Sequence, residues 1–347
     1  MATVREVARR AGVSVGTVSN VLAGSTTVAA DLKGRVERAI RELDYRPNHV
    51  ARSLRTRRSH TLGMVISDIT NPFFPEIVRG AEDAARERGY VLATFNTDDR
   101  VEREREVFRI LESRRVDGVL LVLALPRGDV SHVRELLRAG TPVVCLDRVP
   151  QNLDVDTVSV ENQGGARACV EHLLAQGARR IAYVGGDPRM YIARERLAGY
   201  RAALKAAGIP YDRSLGAEGD FRQESGYAQA RRLLSLTPRP EALFSANMPM
   251  TLGVLRAMDE LGLEAPRDLL LATFDHLAFT EPFRPRLTCV VQPTYQIGYQ
   301  GAVRLIERAR SKGDAAPARH LVLPVQLRIR ESTQRRPERC AARPEDA

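Results

Sequence analysis

Residues 8–22 read ARRAGVSVGTVSNVL, a pattern that predicts two short helices joined by a tight turn. Gly12 tolerates the left-handed backbone conformation that often ends a helix. Ser14 can cap the next helix, because its hydroxyl can accept a hydrogen bond from a free backbone N–H group. The second helix would bury Val18, Val21 and Leu22. The stretch therefore predicts a helix-turn-helix near the start of the chain.

The other face of the second helix carries the small or polar residues Val15, Gly16, Thr17 and Asn20. A surface helix gains little from such a face unless it fits closely against something else. A helix-turn-helix places a face of this kind in the major groove of DNA. Because short helix pairs are common, an ordinary αα-hairpin is the alternative interpretation.

The positive charge of the chain is concentrated at its N-terminal end. The formal net charge is +10, and residues 1–60 hold 12 Lys and Arg against 5 Asp and Glu, a net of +7. The other 287 residues carry only the remaining +3. A basic module beside a nearly neutral body is the charge pattern of a protein that binds nucleic-acid phosphates. A uniformly Arg-rich composition would not place the excess at one end.

Length and composition exclude several classes of protein. The 347 residues are enough for two or three compact units. No stretch approaches the run of about 20 apolar residues that a membrane span needs, and the first residues lack the apolar region of a secretion signal. The four cysteines are scattered without metal-binding or disulfide spacing. We therefore expect a cytoplasmic, nucleoid-associated protein with no metal, no cofactor and no membrane partner.

A third helix is predicted from about Asp31 to Asp44, where apolar residues recur at helical spacing. Pro47 ends this helix, and residues 47–60 form a short basic segment with one large apolar side chain, Leu54. Apolar side chains of this type can insert between base steps in the minor groove and kink the duplex. A solvated linker between domains is the alternative interpretation.

From Thr61 onward, short apolar strands alternate with helices, and the alternation restarts after Asn162. This pattern predicts an α/β body of two doubly wound parallel-sheet lobes around a cleft. The predicted strands are 62–66, 91–95, 118–122, 143–146, 181–184, 242–244, 269–272, 288–291 and 321–323. No G-x-G-x-x-G, P-loop or G-x-S-x-G motif occurs at a strand-to-helix turn, so we expect no enzymatic activity.

Polar residues follow many of these strands, where ligands of open α/β sheets bind. They are Asp68, Asn71, Asn96, Asp98, Asp147, Arg148, Asp187, Asn247, Asp275 and His276. Aromatic walls could come from Phe73, Phe74 and Phe221. Each residue alone is as easily explained as a turn or helix cap, but their shared position favours a ligand site in the cleft.

With these motifs in order, the chain resembles the lactose-repressor (LacI/GalR) family of bacterial transcription regulators over about residues 2–333. The motifs that carry the resemblance are 7–19, Tyr45–Leu54, Asn71–Phe74, Val116–Gly118, Arg196–Tyr200, Phe274–Asp275 and Leu287–Pro293. Their spacing is most like that of purine-responsive members, including Gly219-Asp220-Phe221. The resemblance implies an N-terminal all-α helix-turn-helix headpiece and a periplasmic-binding-protein-like body.

The resemblance implies a repressor that binds a near-palindromic double-stranded DNA operator as a homodimer, with a tetramer left open. The implied DNA-binding residues are Thr3, Ser14, Val15, Gly16, Thr17, Ser19, Asn20, Asn48, Arg52, Ser53, Leu54 and Arg55. Val15 and Asn20 would read bases, whereas Gly16 has no side chain to read with, which leaves the operator sequence open. Leu54 matches the leucine that enters the central minor-groove step. Much of the sequence specificity could then come from DNA deformability.

The resemblance also implies a small-molecule effector site. Its residues are Phe73, Phe74, Asp147, Arg148, Met190, Arg196, Phe221, Asn247 and Asp275. Arg196 and Asp275 are expected to reach the ligand from opposite lobes. Met190 and Ile192 replace polar side chains that hold a purine in purine-responsive members, so a sugar or sugar derivative is favoured over a purine. A protein effector, or a sugar receptor that does not bind DNA, are the remaining alternatives.

The expected organisation has four regions. They are a headpiece at 1–46, a hinge segment at 47–60, an effector-binding and dimerisation domain at 61–333, and a disordered tail at 334–347. Within the third region, one lobe is expected at about 61–160 and 292–320, and the other at about 161–291 and 321–333. Inducer or corepressor action and the target genes are left open.

Overall fold

The computed structural model describes residues 2–22, 28–45, 58–124, 128–282, 284–311 and 317–334. The chain forms two compact units, residues 1–59 and residues 60–347. The predicted hinge residues Asn48, Arg52, Ser53, Leu54 and Arg55 lie outside the described residues, as does all but the first residue of the predicted tail.

The first unit is a bundle of three helices. These are α1 (Val4–Ala11), α2 (Val15–Leu22) and α3 (Ala30–Glu42). Their apolar stripes meet in a small core of Val7, Ala8, Ala11, Val18, Val36 and Ala39. Gly12 ends α1 in the left-handed conformation, with φ of 63°. The Ser14 hydroxyl accepts a hydrogen bond of 3.0 Å from the Thr17 backbone N–H, so the predicted cap of α2 is confirmed.

The second unit contains two six-stranded sheets. In the first sheet the strand order is β11-β5-β4-β3-β1-β2, and all neighbours are parallel. Its strands are β1 (Thr61–Ile66), β2 (Val91–Asn96), β3 (Gly118–Leu121), β4 (Val143–Leu146), β5 (Asp156–Val160) and β11 (His320–Leu323). Its helices are α4 (Phe73–Glu87), α5 (Val101–Ser113), α6 (Ser131–Arg138) and α11 (Thr294–Arg310). Apolar cores on both faces identify this part as one doubly wound lobe, the first lobe.

The second lobe is built in the same way. Its strand order is β12-β10-β9-β8-β6-β7, with β12 antiparallel to β10 and the other neighbours parallel. Its strands are β6 (Ile181–Gly185), β7 (Gly216–Glu218), β8 (Ala242–Ser245), β9 (Leu270–Phe274), β10 (Thr288–Val291) and β12 (Gln326–Arg328). Its helices are α7 (Asn162–Ala175), α8 (Tyr191–Ala206), α9 (Gln223–Leu234) and α10 (Met248–Glu260). Short 3-10 turns lie at Arg213–Leu215, Ala278–Thr280 and Glu331–Thr333.

The described chain passes between the two lobes after β5, after β10 and after β11. The expected lobe boundary after residue 320 is wrong, because His320–Leu323 pairs in parallel with β5 of the first lobe. The last crossing therefore follows Leu323. Strands β5, β7 and β12 were not predicted. No helix among the described residues combines the length and apolar character that crossing a bilayer requires.

Candidate DNA-binding and effector sites

The exposed face of α2 holds most of the predicted base-reading residues. Ser14, Val15, Gly16 and Asn20 are exposed, while Thr17 and Ser19 are half-buried. Val18, on the opposite face, is fully buried in the bundle core. The helix therefore presents a surface with little side-chain bulk, which another surface can approach closely.

Two predicted DNA-binding residues also build the ends of helices. Thr3 and Glu6 form a capping box at the start of α1, with each side chain bonded to the backbone N–H of the other. The hydroxyls of Ser14 and Thr17 lie 2.9 Å apart and hydrogen-bond to each other. The turn is held to α3 by a 3.0 Å hydrogen bond from Arg35 to the Gly12 carbonyl. The Arg35 hydrogen bond thus helps to hold the turn before α2 in place against α3.

A cavity lies between the lobes, at the carboxyl ends of both sheets. It is lined by Asn71, Phe73, Phe74, Asp147 and Arg148 of the first lobe, by Ile192, Arg196, Phe221, Asn247 and Asp275 of the second, and by Gln292 at a crossing. Eight of the nine predicted effector residues meet here. Met190 does not line the cavity but is buried behind it, in an apolar cluster with Ile192 and Ala193.

The two lobes each place a buried carboxylate in this cavity. Burial raises the pKa of Asp147 to about 6, although the guanidinium groups of Arg196 and Arg148 pull it down. Burial also raises the pKa of Asp275, against the opposing effects of Arg196 and of a hydrogen bond donated by Gln292. Both aspartates have positive φ, 63° and 75°, directly after strands β4 and β9. Strand ends thus set the direction of both side chains.

Arg196 is buried and tightly held inside the second lobe. Its Nε donates a hydrogen bond of 2.9 Å to Asn162 Oδ1, and its Nη1 donates one of 2.6 Å to the Ala246 carbonyl. Its guanidinium lies 3.8 Å from the centre of the Phe274 ring. The expectation that Arg196 and Asp275 come from opposite lobes is wrong. Arg196 lies in α8 and Asp275 follows β9, and both elements belong to the second lobe. Asp147 and Arg148 are the charged groups that the first lobe contributes.

Arg148 is held by its own lobe. Its Nη1 donates a hydrogen bond of 2.5 Å to Asp99 and one of 3.0 Å to the Leu123 carbonyl. Its Nη2 donates one of 3.2 Å to the Ser67 hydroxyl. The guanidinium is therefore fixed by the first lobe before any ligand binds.

Three buried polar atoms at this cavity lack a hydrogen-bond partner among the described residues. They are Asp147 Oδ1, Arg148 Nε and Gln292 Oε1. Buried polar atoms are nearly always paired in folded proteins, since leaving one unpaired costs about 1–3 kcal/mol. Such a cluster in a cavity lined by residues from both lobes indicates a site for a polar molecule.

The aromatic walls are positioned by local contacts. Asn247 caps α10 by accepting a 3.0 Å hydrogen bond from Met250 N–H, and its amide donates one of 2.9 Å to the Phe221 carbonyl. The Phe221 ring lies over Gly186, where an added Cβ would come within 2.1 Å of the ring. On the first lobe, Phe73 and Phe74 pack edge to face with centroids 5.2 Å apart. Rigid apolar walls therefore surround the charged groups.

Models of two protein families match the chain. The model described as bacterial regulatory proteins, lacI family, matches residues 3–48. The model described as a periplasmic binding protein-like domain matches residues 170–333. The ribose operon repressor of Escherichia coli (strain K12) is 36% identical over 310 residues, which cover 89% of this chain and 93% of that protein. This chain belongs to the lacI family of bacterial regulatory proteins.

Solved structures extend the likeness of this lacI-family chain to its whole fold. A transcriptional regulator CelR–cellobiose complex has a TM-score of 0.73 and 36% identity, covering 96% of this chain and 100% of that chain. A lac repressor dimer bound to operator and the anti-inducer ONPF has a TM-score of 0.82 and 29% identity, covering 96% of this chain and 99% of that chain. The predicted headpiece and two-lobed body are confirmed, and the chain is a DNA-binding transcriptional regulator.

Three residues that line the cavity of this lacI-family chain were not among the predicted effector-site residues. They are Asn71, Ile192 and Gln292. Asn71 follows β1 in the polar set at strand ends, and its Oδ1 accepts a 3.1 Å hydrogen bond from Phe73 N–H. Gln292 follows β10 directly, so the same strand-end rule could have found it. Ile192 does not follow a strand, so the strand-end rule could not find it, but the family resemblance already places it where purine-responsive members hold their ligand.

The cavity is small in this arrangement of the lobes. Its volume is about 30 Å³, roughly that of one water molecule. Sites for small organic ligands are usually about 300–1,000 Å³. A ligand of sugar size therefore needs the lobes to separate or the walls of the cavity to move.

Proposed function

We propose that this lacI-family regulator is a homodimeric repressor whose operator affinity is controlled by a sugar or sugar derivative bound between the lobes. The observation that carries the proposal is the cluster of unpaired buried atoms of Asp147, Arg148 and Gln292 in a cavity with aromatic walls. Sugar hydroxyls both donate and accept hydrogen bonds, and so match carboxylate, guanidinium and amide groups together. The apolar faces of a sugar ring pack on aromatic side chains.

The comparisons support the same ligand class. One relative is named a ribose operon repressor, and one solved relative is a complex with cellobiose. A purine is the weaker candidate, because Ile192 lines the cavity and Met190 lies behind it, where purine-responsive members are expected to have polar groups. We propose no reaction for this chain, because these relatives are regulators rather than enzymes.

The mechanism follows from the charged residues that the two lobes place in the cavity. Asp147 and Arg148 belong to one lobe, and Arg196 and Asp275 to the other, so a ligand that bonds to both sets favours one lobe arrangement over others. In the proposed dimer this arrangement sets the spacing of the two hinge segments on DNA, and a coupling of a few kcal/mol is sufficient. Because operator DNA lies in the cytoplasm, we place the protein there, at the nucleoid.

The roles of Asn48, Arg52, Ser53, Leu54 and Arg55 in DNA binding stay predictions from the sequence. Leu54→Ala should lose most specific operator affinity while salt-sensitive non-specific binding remains, since it removes the proposed minor-groove wedge. Removal of residues 1–58 should abolish DNA binding and leave a folded body that binds ligand. An unchanged specific affinity for Leu54→Ala would contradict the wedge role.

Thermal-shift measurements with D-ribose, cellobiose, D-glucose and hypoxanthine test the ligand class. A ligand that binds only the native state raises the Tm. At least one sugar should raise the Tm of the wild type and fail to do so for Asp275→Asn. The matched control is Asp187→Asn, because Asp187 is a second-lobe aspartate paired with Arg189 outside the cavity. A response to hypoxanthine alone, or an equal response in both variants, would overturn the proposal.

A further inference from the structure

A second pocket lies on the second lobe, beside β6, β7 and α8. Its volume is about 230 Å³, and it shares no lining residue with the interlobe cavity. The lining residues that matter here are Tyr183, Gly186, Arg194, Arg201, Arg213 and Glu218. This second-lobe pocket is roughly eight times the volume of a water molecule. Because it lies within one lobe, a ligand can enter it without any movement of the lobes.

One residue that lines the second-lobe pocket is a buried tyrosine whose hydroxyl group makes no hydrogen bond to the described residues. Tyr183 is 3% exposed, and its hydroxyl has no hydrogen-bond partner in the part of the chain that the structure describes. The neighbouring Tyr200 stacks on it and donates its own hydroxyl to the Ile181 carbonyl at 2.8 Å. Buried tyrosine hydroxyls normally find a partner. Burial raises the pKa of Tyr183, so its hydroxyl is neutral and can donate to an anion.

The charge of the pocket wall is positive. Three arginines, Arg194, Arg201 and Arg213, and one carboxylate, Glu218, line the pocket, a formal excess of two positive charges among the lining residues. Two of these guanidinium groups are held in place. Arg194 donates to the Pro188 carbonyl at 3.1 Å, and the guanidinium of Arg201 lies 4.2 Å from the centre of the Tyr211 ring. Guanidinium groups bind phosphate in a bidentate manner.

We propose that the second-lobe pocket binds a small organic phosphate monoester, of sugar-phosphate size, as a second ligand of this regulator. A phosphate monoester carries a charge of about −1.5 to −2 at pH 7, which matches the excess charge of the wall. Its oxygens would accept hydrogen bonds from the arginines, and from the Tyr183 hydroxyl once the side chains that cover this buried atom shift. The proposal does not depend on the chemical class of the interlobe effector.

The two sites share a thin wall. Gly186 lines the second-lobe pocket, and the Phe221 ring that lines the interlobe cavity lies against the same glycine. A ligand packed on Gly186 therefore lies directly behind Phe221. Occupancy of the pocket should change the affinity of the interlobe cavity for its own ligand, and the reverse effect should be equal in size.

Calorimetric titration of the full-length protein with inorganic phosphate and with glucose 6-phosphate, at constant ionic strength, tests the proposal. At least one probe should bind saturably to the wild type, and Arg201→Gln combined with Arg213→Gln should weaken it about tenfold or more. Arg256→Gln is the matched control, because Arg256 is an exposed second-lobe arginine outside the pocket. Asp275→Asn should retain binding, which separates this site from the interlobe cavity.

Tyr183→Phe gives a second readout, since it removes an unpaired hydroxyl rather than a native contact. Its Tm without ligand should equal or exceed that of the wild type, while its affinity for the phosphate probe falls. The proposal is overturned if neither probe binds saturably. It is also overturned if the Arg201 and Arg213 double variant binds as tightly as Arg256→Gln, because the phosphate would then occupy another basic surface.

Discussion

Arg196 Nε donates a hydrogen bond of 2.9 Å to Asn162 Oδ1, and this bond joins the interlobe cavity to a crossing between the lobes. Asn162 is the first residue of α7, directly after the chain leaves β5. Its Nδ2 also donates to the Val160 carbonyl at 3.2 Å, at the end of that strand. A ligand that reorients the Arg196 guanidinium therefore acts directly on the segment about which the lobes would move.

Asn162→Ala should lower both the stability and the ligand affinity of the protein. It leaves a buried guanidinium N–H unpaired, at a cost of about 1–3 kcal/mol in the free energy of unfolding. Asn162→Asp, which keeps an acceptor beside Arg196, should lose less. Chemical denaturation measures the effect, with Gln163→Ala as the control at the exposed neighbouring position. Equal stability of the Asn162→Ala and Gln163→Ala proteins would show that this hydrogen bond is unimportant.

Gly16→Ala should separate folding from DNA recognition. An added Cβ would meet only the Ser14 Oγ at 3.5 Å among the described residues, so the protein itself has room for it. Alanine favours a helix interior over glycine by about 0.5–1 kcal/mol, so the Tm should not fall. If this face lies against DNA, the methyl group should weaken operator binding or alter the preferred sequence.

Gly34→Ala is the control for that experiment. Gly34 lies in α3, and no described atom comes within 4 Å of an added Cβ. It should stabilise the headpiece by a similar amount and leave operator affinity unchanged in fluorescence anisotropy. If both variants bind the operator like the wild type, Gly16 does not lie at the DNA interface.

Ionisation of the buried Asp147 carboxyl group should lower the free energy of unfolding as the pH rises from about 4 to about 6. Its pKa is about 6 in the folded protein against 3.8 ordinarily, so the folded state binds the proton more tightly than the unfolded state does. Asp147→Asn removes this dependence and fits the same positive φ. The free energy of unfolding of Asp147→Asn minus that of the wild type should grow over this range by up to ~3 kcal/mol.

Asp187→Asn is the control, because the pKa of Asp187 is shifted in the opposite direction to that of Asp147. The hydrogen bonds from Arg189 hold the pKa of Asp187 below its ordinary value, so its stabilising effect is present above that value and is lost as the pH falls. Replacing Asp187 should therefore cost stability near pH 7 and little in acid. A pH-independent difference for Asp147→Asn would contradict the buried, ionisable environment assigned to Asp147.

Gly186→Ala should damage ligand binding between the lobes. The added methyl group overlaps the Phe221 ring, with contacts of 2.1 Å, and must push that ring toward the cavity. Gly164→Ala is a suitable control in the same lobe, because its nearest neighbour would be the Glu161 Cβ at 3.8 Å. Titration calorimetry with the sugar found by thermal shift should show weaker binding to Gly186→Ala alone. Equal affinities would mean that Phe221 is not a rigid wall of the site.

The sequence predicted the features that depend on local chemistry. The cap at Ser14, the left-handed Gly12 and the alternation of strands and helices all arise from neighbouring residues. The missed strands are short or polar. Strand β5 reads DTVSV and is buried throughout, yet its alternating polar residues give no apolar run. Its place in the sheet depends on pairing with β4 and β11, and β11 is far along the chain.

Most members of the candidate site were predicted, but its geometry was not. Strand-end polar residues converge because parallel strands bring their carboxyl ends together, so Asp147, Asn247 and Asp275 could be found. The partners of Arg196 could not, because Asn162 and Ala246 come from separate elements that only the folded lobe brings together. The lobe to which β11 belongs likewise depends on a crossing that no local pattern marks.

The most direct test of the account measures operator affinity as a function of sugar concentration. A near-palindromic DNA site, selected by the protein from a random library, would be titrated by fluorescence anisotropy at fixed salt, with the sugar identified by thermal shift. The sugar should change the operator affinity of the wild type by about 5- to 150-fold, while Asp275→Asn binds the operator normally and does not respond. A sugar that binds the wild type without changing its operator affinity, or that changes both proteins equally, would contradict control from the interlobe cavity.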